Sequence, residues 1–213
     1  MSPLPTTGEK GQLKPDIYYP RIAEIVTLPP EARHREFATL HGKVVDAYVE
    51  AVRRITADDA QRLIDDSGDP RTVAQIVGHI AEWDRMSMFS AMDILLGMEN
   101  PRGIVDTTGY EEPDGTRMDF EGVDAFNAYQ AEKHATWAWD DIQTLALDTA
   151  TTLYGLFIHP NLLHAERLEN TPRRLLSLEN GMTIPDVALG WHLWILVIEH
   201  MAVDHVAALG IKD

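Results

Sequence analysis

The chain has no cysteine among its 213 residues. That excludes a disulfide scaffold, a thiolate zinc site, an iron–sulfur cluster and a cysteine nucleophile. Basic residues are scarce, 18 Lys+Arg against 34 Asp+Glu, for a formal net charge of −16. No basic stripe is available to neutralise phosphates, so nucleic acid is not an expected partner. The same charge opposes an anionic membrane surface. No apolar run approaches the roughly 18 residues of a membrane span. The opening MSPLPTTGEKGQLKPD lacks an apolar h-region, so no signal peptide is expected and a cytoplasmic location is. Gly-x-Gly-x-x-Gly, a phosphate-binding Gly-Lys-Ser/Thr loop, His-Glu-x-x-His and Gly-x-Ser-x-Gly are all missing. The paired Glu-x-x-His motifs of di-iron bundles are missing too, which disfavours a ferritin-like oxidase.

What is present is ordinary globular material: 45% hydrophobic and 24% charged residues, enough for one core. Pro3, Pro5, Pro15, Pro20, Pro29 and Pro30 mark residues 1–30 as a Pro-rich arm, extended or irregular. Its run Ile17, Tyr18, Tyr19, Ile22, Ile25 and Val26 favours docking on something. Residues 31–213 are expected to form a single domain.

Within it, Phe37, His41, Val44, Tyr48, Ala51 and Ile55 recur at helical spacing and predict a helix after Pro30. Thr56 to Asp59 reads as a capping box for a short helix through about Ile64, broken at Ser67-Gly-Asp-Pro70. Thr72 with Gln75 predicts the start of a second long helix that ends near Gly97, its inner face Ile76, Ile80, Trp83, Ser87, Ala91 and Ile94. Residues 98–120 form a long turn-rich loop of the functional or mobile kind. A third helix is expected from about Val123 to Phe157, on the stripe Ala128, Ala131, Ala135, Ala138, Ile142, Leu145, Thr149 and Leu153. The last should start at Thr183, with Asp186 as capping partner and Pro185 in its first turn, and end near Gly210. No strand with period-two alternation is expected. The reading is all-α, a four-helix bundle.

The polar groups of the apolar last helix carry the chemistry, because burying them costs energy unless each finds a partner or a metal. His200 and Asp204 are four apart and share a face. His79, beside the inner face of the second helix, is the best third ligand. His79, His200 and Asp204 make a two-histidine, one-carboxylate set suited to Fe(II), Zn²⁺, Ni²⁺ or Mn²⁺. The largest apolar stripe of the last helix carries His205 instead of His200, which leaves open which histidine faces inward. His41 is read as a core histidine, and Trp191 and Trp194 as core or dimer-interface anchors.

The segment Asp58 to Arg85, through Arg-Thr-Val-Ala-Gln-Ile-Val-Gly-His-Ile-Ala-Glu-Trp-Asp-Arg, resembles the second-helix signature of DinB-like proteins. His79 takes the place of that helix's histidine. Met-Thr-Ile-Pro-Asp-Val and then Ile-Glu-His-Met-Ala-Val-Asp-His look like the family's last helix, which closes the site with two ligands at i, i+4. The likeness covers about residues 60–210. It implies one divalent metal held by a triad, in a superfamily that includes thiol-dependent S-transferases and isomerases using mycothiol or bacillithiol. A cysteine-free chain is compatible with that, since the thiol would belong to the cofactor. The family pattern His-x-x-x-His is altered here: Asp204 stands at its second place and His205 one residue later. The expectation is a metal-dependent transferase or isomerase that acts on a small electrophile and forms a homodimer; the rival is a non-catalytic dimeric bundle without metal.

Overall fold

The computed structural model describes residues 15–66, 69–104, 107–205 and 209. Helices dominate: α1 (Pro15–Ile25), α2 (Pro30–Arg54), α3 (Ala57–Ala60), α4 (Val73–Leu95), α5 (Val123–His134), α6 (Trp139–Ile158), α7 (Ala165–Glu169) and α8 (Leu189–Glu199). A π-helical turn, His200–Asp204, continues α8. Three two-stranded antiparallel hairpins join them: β1 (Leu63–Asp66) with β2 (Asp69–Thr72), β3 (Tyr110–Glu111) with β4 (Arg117–Met118), and β5 (Arg173–Ser177) with β6 (Thr183–Ala188). No helix among the described residues is long and apolar enough to cross a membrane.

Helix α4 is central, packed along α6 and against α5 and α8, while α2 packs on α6, α7 and the π turn. Its N-terminus forms as the sequence dictates: Thr72 Oγ1 accepts from the Gln75 amide and Gln75 Oε1 accepts from the Thr72 amide, a reciprocal capping box. Thr56 and Asp59 build a second one at α3, but that helix stops at Ala60. Leu63–Asp66 pairs with Asp69–Thr72 in a hairpin instead of extending the helix to Ile64, and the expected break at Ser67-Gly68 lies outside the described residues.

The N-terminal arm differs from expectation. Residues 1–14 lie outside the described residues, but 15–25 are helical, not extended, with Pro20 inside the helix. An internal proline costs about 3 kcal/mol. Burial of Tyr18, Tyr19, Ile22 and Ile25 offsets it, and the Tyr18 hydroxyl donates to the Ile195 carbonyl at 2.9 Å. The docking surface is the chain's own core.

The single third helix is two. The stripe holds in α6, where Ile142, Thr149 and Leu153 are buried, and fails in α5 and just beyond it, where Ala128 and the capping Ala135 are exposed. The face that α5 turns inward is Phe126, Gln130 and His134, i, i+4, i+8 but two-thirds polar, so hydrophobic periodicity cannot find it. Lys133 and His134 in the last turn of α5 and Asp140 and Asp141 in the first turn of α6 mark the break electrostatically. Trp139 then anchors α6, its Nε1 donating to the Ile55 carbonyl at 3.0 Å.

The last helix starts six residues later than expected, at Leu189, because Thr183–Ala188 pairs with β5. The turn is Asn180-Gly181, with Gly181 at φ +80° and Asn180 Oδ1 accepting from the Met182 amide. Asp186 does not cap a helix. It sits at φ +58° beside the register shift between the strands, where Arg173 binds its carbonyl and carboxylate. The expected end near Gly210 lies outside the described residues. Trp191 and Trp194 are fully buried and stack with rings nearly parallel; they are core residues, not interface anchors.

Candidate metal centre

The π-helical turn decides the geometry. In an α-helix residues four apart stack, whereas in a π-helix the hydrogen bonds run between residues five apart. His200 and His205 are five apart, and the turn brings their Nε2 atoms to 3.1 Å. His79 approaches from α4, its Nε2 3.0 Å from His200 Nε2. Ligand atoms of all three lie within 4.8 Å of one another. The sequence alternatives, His200 or His205, are thus both at the site. Asp204 belongs to the same π turn, and its side chain lies outside the described residues.

The donor set fits a divalent ion. Three imidazole nitrogens converge, and His200 Nε2 touches both others; one proton on it can satisfy only one of them. Burial, reinforced by His205, His79 and Arg71, pushes His200 well below the usual histidine range. The ring is therefore neutral at ordinary pH and its lone pair is available to a metal. His79 is buried, and His200 and His205 are partly exposed.

Around it, α5 lies back along α4, Gly78 against His134 and Trp83 against Asn127. A Cβ at position 78 would fall 2.8 Å from ring carbons of His134, so glycine permits this approach. His79 Nδ1 meets Gln130 Oε1 at 2.9 Å. The half-buried Trp83 flanks the cluster, its ring 6.4 Å from His79 and 6.3 Å from His200, with Nε1 donating to Asn127 Oδ1 at 3.0 Å.

One turn further along α4, Glu82 is fully buried. Burial alone would raise it, but hydrogen bonds from His134, Lys133 and Tyr110 bring it down to about 2. Lys133 Nζ donates to Glu82 at 2.6 Å and to Glu112 at 2.8 Å, Tyr110 donates to Glu82 at 2.5 Å, and Tyr129 to Glu112 at 2.6 Å. Burial and the Glu82 charge push the Tyr110 hydroxyl far up, so it stays a donor. These bonds, with the bidentate Asp93–Arg102 pair, pin the long loop against α4 and α5. Sequence reasoning missed Gln130, Glu82 and Lys133. The i, i+3 spacing of His79 with Glu82 and of Gln130 with Lys133 is their only signal.

His41 stands apart. It is fully buried among Tyr154, Phe157 and Trp194, and Trp194 Nε1 donates to its Nδ1 at 3.0 Å. Burial drops it to about 3. It is the core histidine the sequence indicated.

No protein-family model and no curated protein matches the sequence. Among solved structures the chain is similar to a crystallised mutant of a mycothiol-dependent maleylpyruvate isomerase, with TM-score 0.56 and 14% identity over 88% of this chain and 63% of that one. The chain thus spans less than two thirds of that protein's length. At this identity the likeness is one of fold, and it bears out the DinB-like fold read from the helix signatures.

Proposed function

We propose that this chain is a DinB-like metal-binding protein working as a thiol-dependent S-transferase or isomerase on a small electrophile. The observation that carries the reading is the convergence of His79, His200 and His205 on one point, within a fold similar to that of a mycothiol-dependent isomerase. These three would hold one divalent ion, Zn²⁺, Ni²⁺ or Fe(II), with Asp204 kept as a further candidate ligand from the same turn. A bound ion of this kind lowers the pKa of a thiol or polarises a substrate oxygen.

The chain's own residues supply the surroundings. Trp83 offers an apolar wall beside the cluster, and Asn127 holds that wall in place. The Glu82–Lys133–Glu112 bonds fix the 107–120 loop beside the cluster, where it can shape a pocket. Since the chain has no cysteine, the reacting thiol must come from a small cofactor. In this reading α2, α4, α6 and α8 are the four helices of the bundle. The acidic composition supports a small-molecule substrate over nucleic acid or membrane, in a cytoplasmic protein. A homodimer, if formed, uses a surface other than Trp191 and Trp194.

The test follows both thiol consumption and cis–trans isomerisation, which returns the thiol, in the protein loaded with Zn²⁺, Ni²⁺ or Fe(II) and given a low-molecular-weight thiol and a panel of activated alkenes. Either activity, if it requires the metal and disappears in His200→Ala, supports the reading. A metal-loaded protein inert across thiols and electrophiles contradicts its catalytic part.

A further inference from the structure

We infer that Gln130 is the positioning residue of the metal centre: it sets the tautomer and ring orientation of His79. The inference rests on the metal reading above and extends it to a residue that is not itself a ligand. Gln130 is 1% exposed, on the inward face of α5. Its Oε1 lies 2.9 Å from His79 Nδ1. An amide oxygen can only accept, so Nδ1 carries the proton and Nε2, the atom facing His200 and His205, keeps its lone pair. A ligand histidine needs that state, and a fixed acceptor on the far nitrogen is the usual means of imposing it.

Packing alone does not account for the residue. Gln130 Nε2 is buried with no hydrogen-bond partner among the described residues. A leucine would fill the same space without an orphaned donor, so the amide is favoured only through what its oxygen does. The framework is also stiff: the neighbouring Lys133 and His134 both bond to buried Glu82, and His134 rests on Gly78. Gln130 is therefore held at fixed height against His79 from the next turn of both helices.

The experiment uses the full chain and compares wild type, Gln130→Leu and Gln130→Glu. Zinc affinity is read by competition with a chromophoric chelator. The tautomer of His79 is read in the metal-free protein by long-range imidazole nitrogen–proton NMR, assigned with His79→Gln. Wild type is expected to show the proton on Nδ1. Gln130→Leu should lose that preference and bind zinc about 10–100-fold more weakly. Gln130→Glu, which keeps an acceptor in place, should restore both. The inference is overturned if Nδ1 of His79 is unprotonated in wild type, or if Gln130→Leu binds zinc as tightly as wild type. A wild type that takes up no zinc overturns the metal reading instead, and the tautomer measurement still decides whether Gln130 governs His79. A folding defect in Gln130→Leu would show as lost secondary structure, and the His79 tautomer in wild type then decides: a proton on Nδ1 supports the inference and an unprotonated Nδ1 overturns it.

Discussion

His41 and His200 are both held neutral, and by the same dominant cause, removal from water. Their neighbourhoods differ. His41 faces aromatic rings, accepts one hydrogen bond from Trp194, and leaves Nε2 without a partner among the described residues. His200 faces two further imidazoles, each about a hydrogen-bond length away. Burial by itself makes a histidine inert filling. Burial plus convergence makes a set that could hold a metal ion, because the ligand atoms lie within 4.8 Å of one another and no proton distribution satisfies them all.

The sharpest way to break this comparison is to remove one histidine from each place. His200→Ala should lose bound metal altogether and remain folded, whereas His41→Ala should keep its metal, both read by elemental analysis of purified protein. Conversely, His41→Ala should lose about 2–5 kcal/mol of stability in urea unfolding, since it opens a cavity in the aromatic core. The partly exposed His200 should cost less.

Gly78→Ala probes what joins the regions. The added methyl meets His134, so a loss of about 1–3 kcal/mol is expected. Because it pushes α5 from α4, zinc affinity should fall as well. Unchanged affinity would mean that the α4–α5 distance does not matter to the site.

Within any one pH unit the smallest effect is on pH dependence. The pKa of His41 is about 3 folded and about 6.5 unfolded. Between those values the unfolded state binds the extra proton, so stability falls as pH drops from 6.5 toward 3. The slope from this group is at most about 1.4 kcal/mol per pH unit. His41→Leu should flatten the stability profile by that one proton, measured by urea unfolding across the acid range.

The legible parts of the fold were those written in local chemistry. Thr72 with Gln75 and Thr56 with Asp59 start helices because their side chains satisfy amides the helix leaves open. Asn180-Gly181 is an equally local hairpin signal, and the helix-start pattern of the following Thr183-Ile-Pro-Asp competes with it. The inward face of α5 was not legible, since Gln130 and His134 carry no hydrophobic signal. At the site, His79 and His200 emerged from spacing. Asp204, four residues from His200, is the ligand that α-helical periodicity points to, and its side chain lies outside the described residues; the π turn adds His205 to the cluster. One residue beyond the His-x-x-x-His pattern is the signature of a π turn, whose five-residue hydrogen bonding puts the later histidine on the shared face.

The most direct measurement is therefore metal stoichiometry of untagged protein, in wild type, His79→Ala, His205→Ala and Asp204→Asn. Near-stoichiometric metal in wild type that is lost in both histidine variants is the predicted result, and it fixes the π turn as the device that completes the site. Metal that survives His205→Ala but not Asp204→Asn would contradict the three-histidine set, and no metal in wild type would contradict the centre itself.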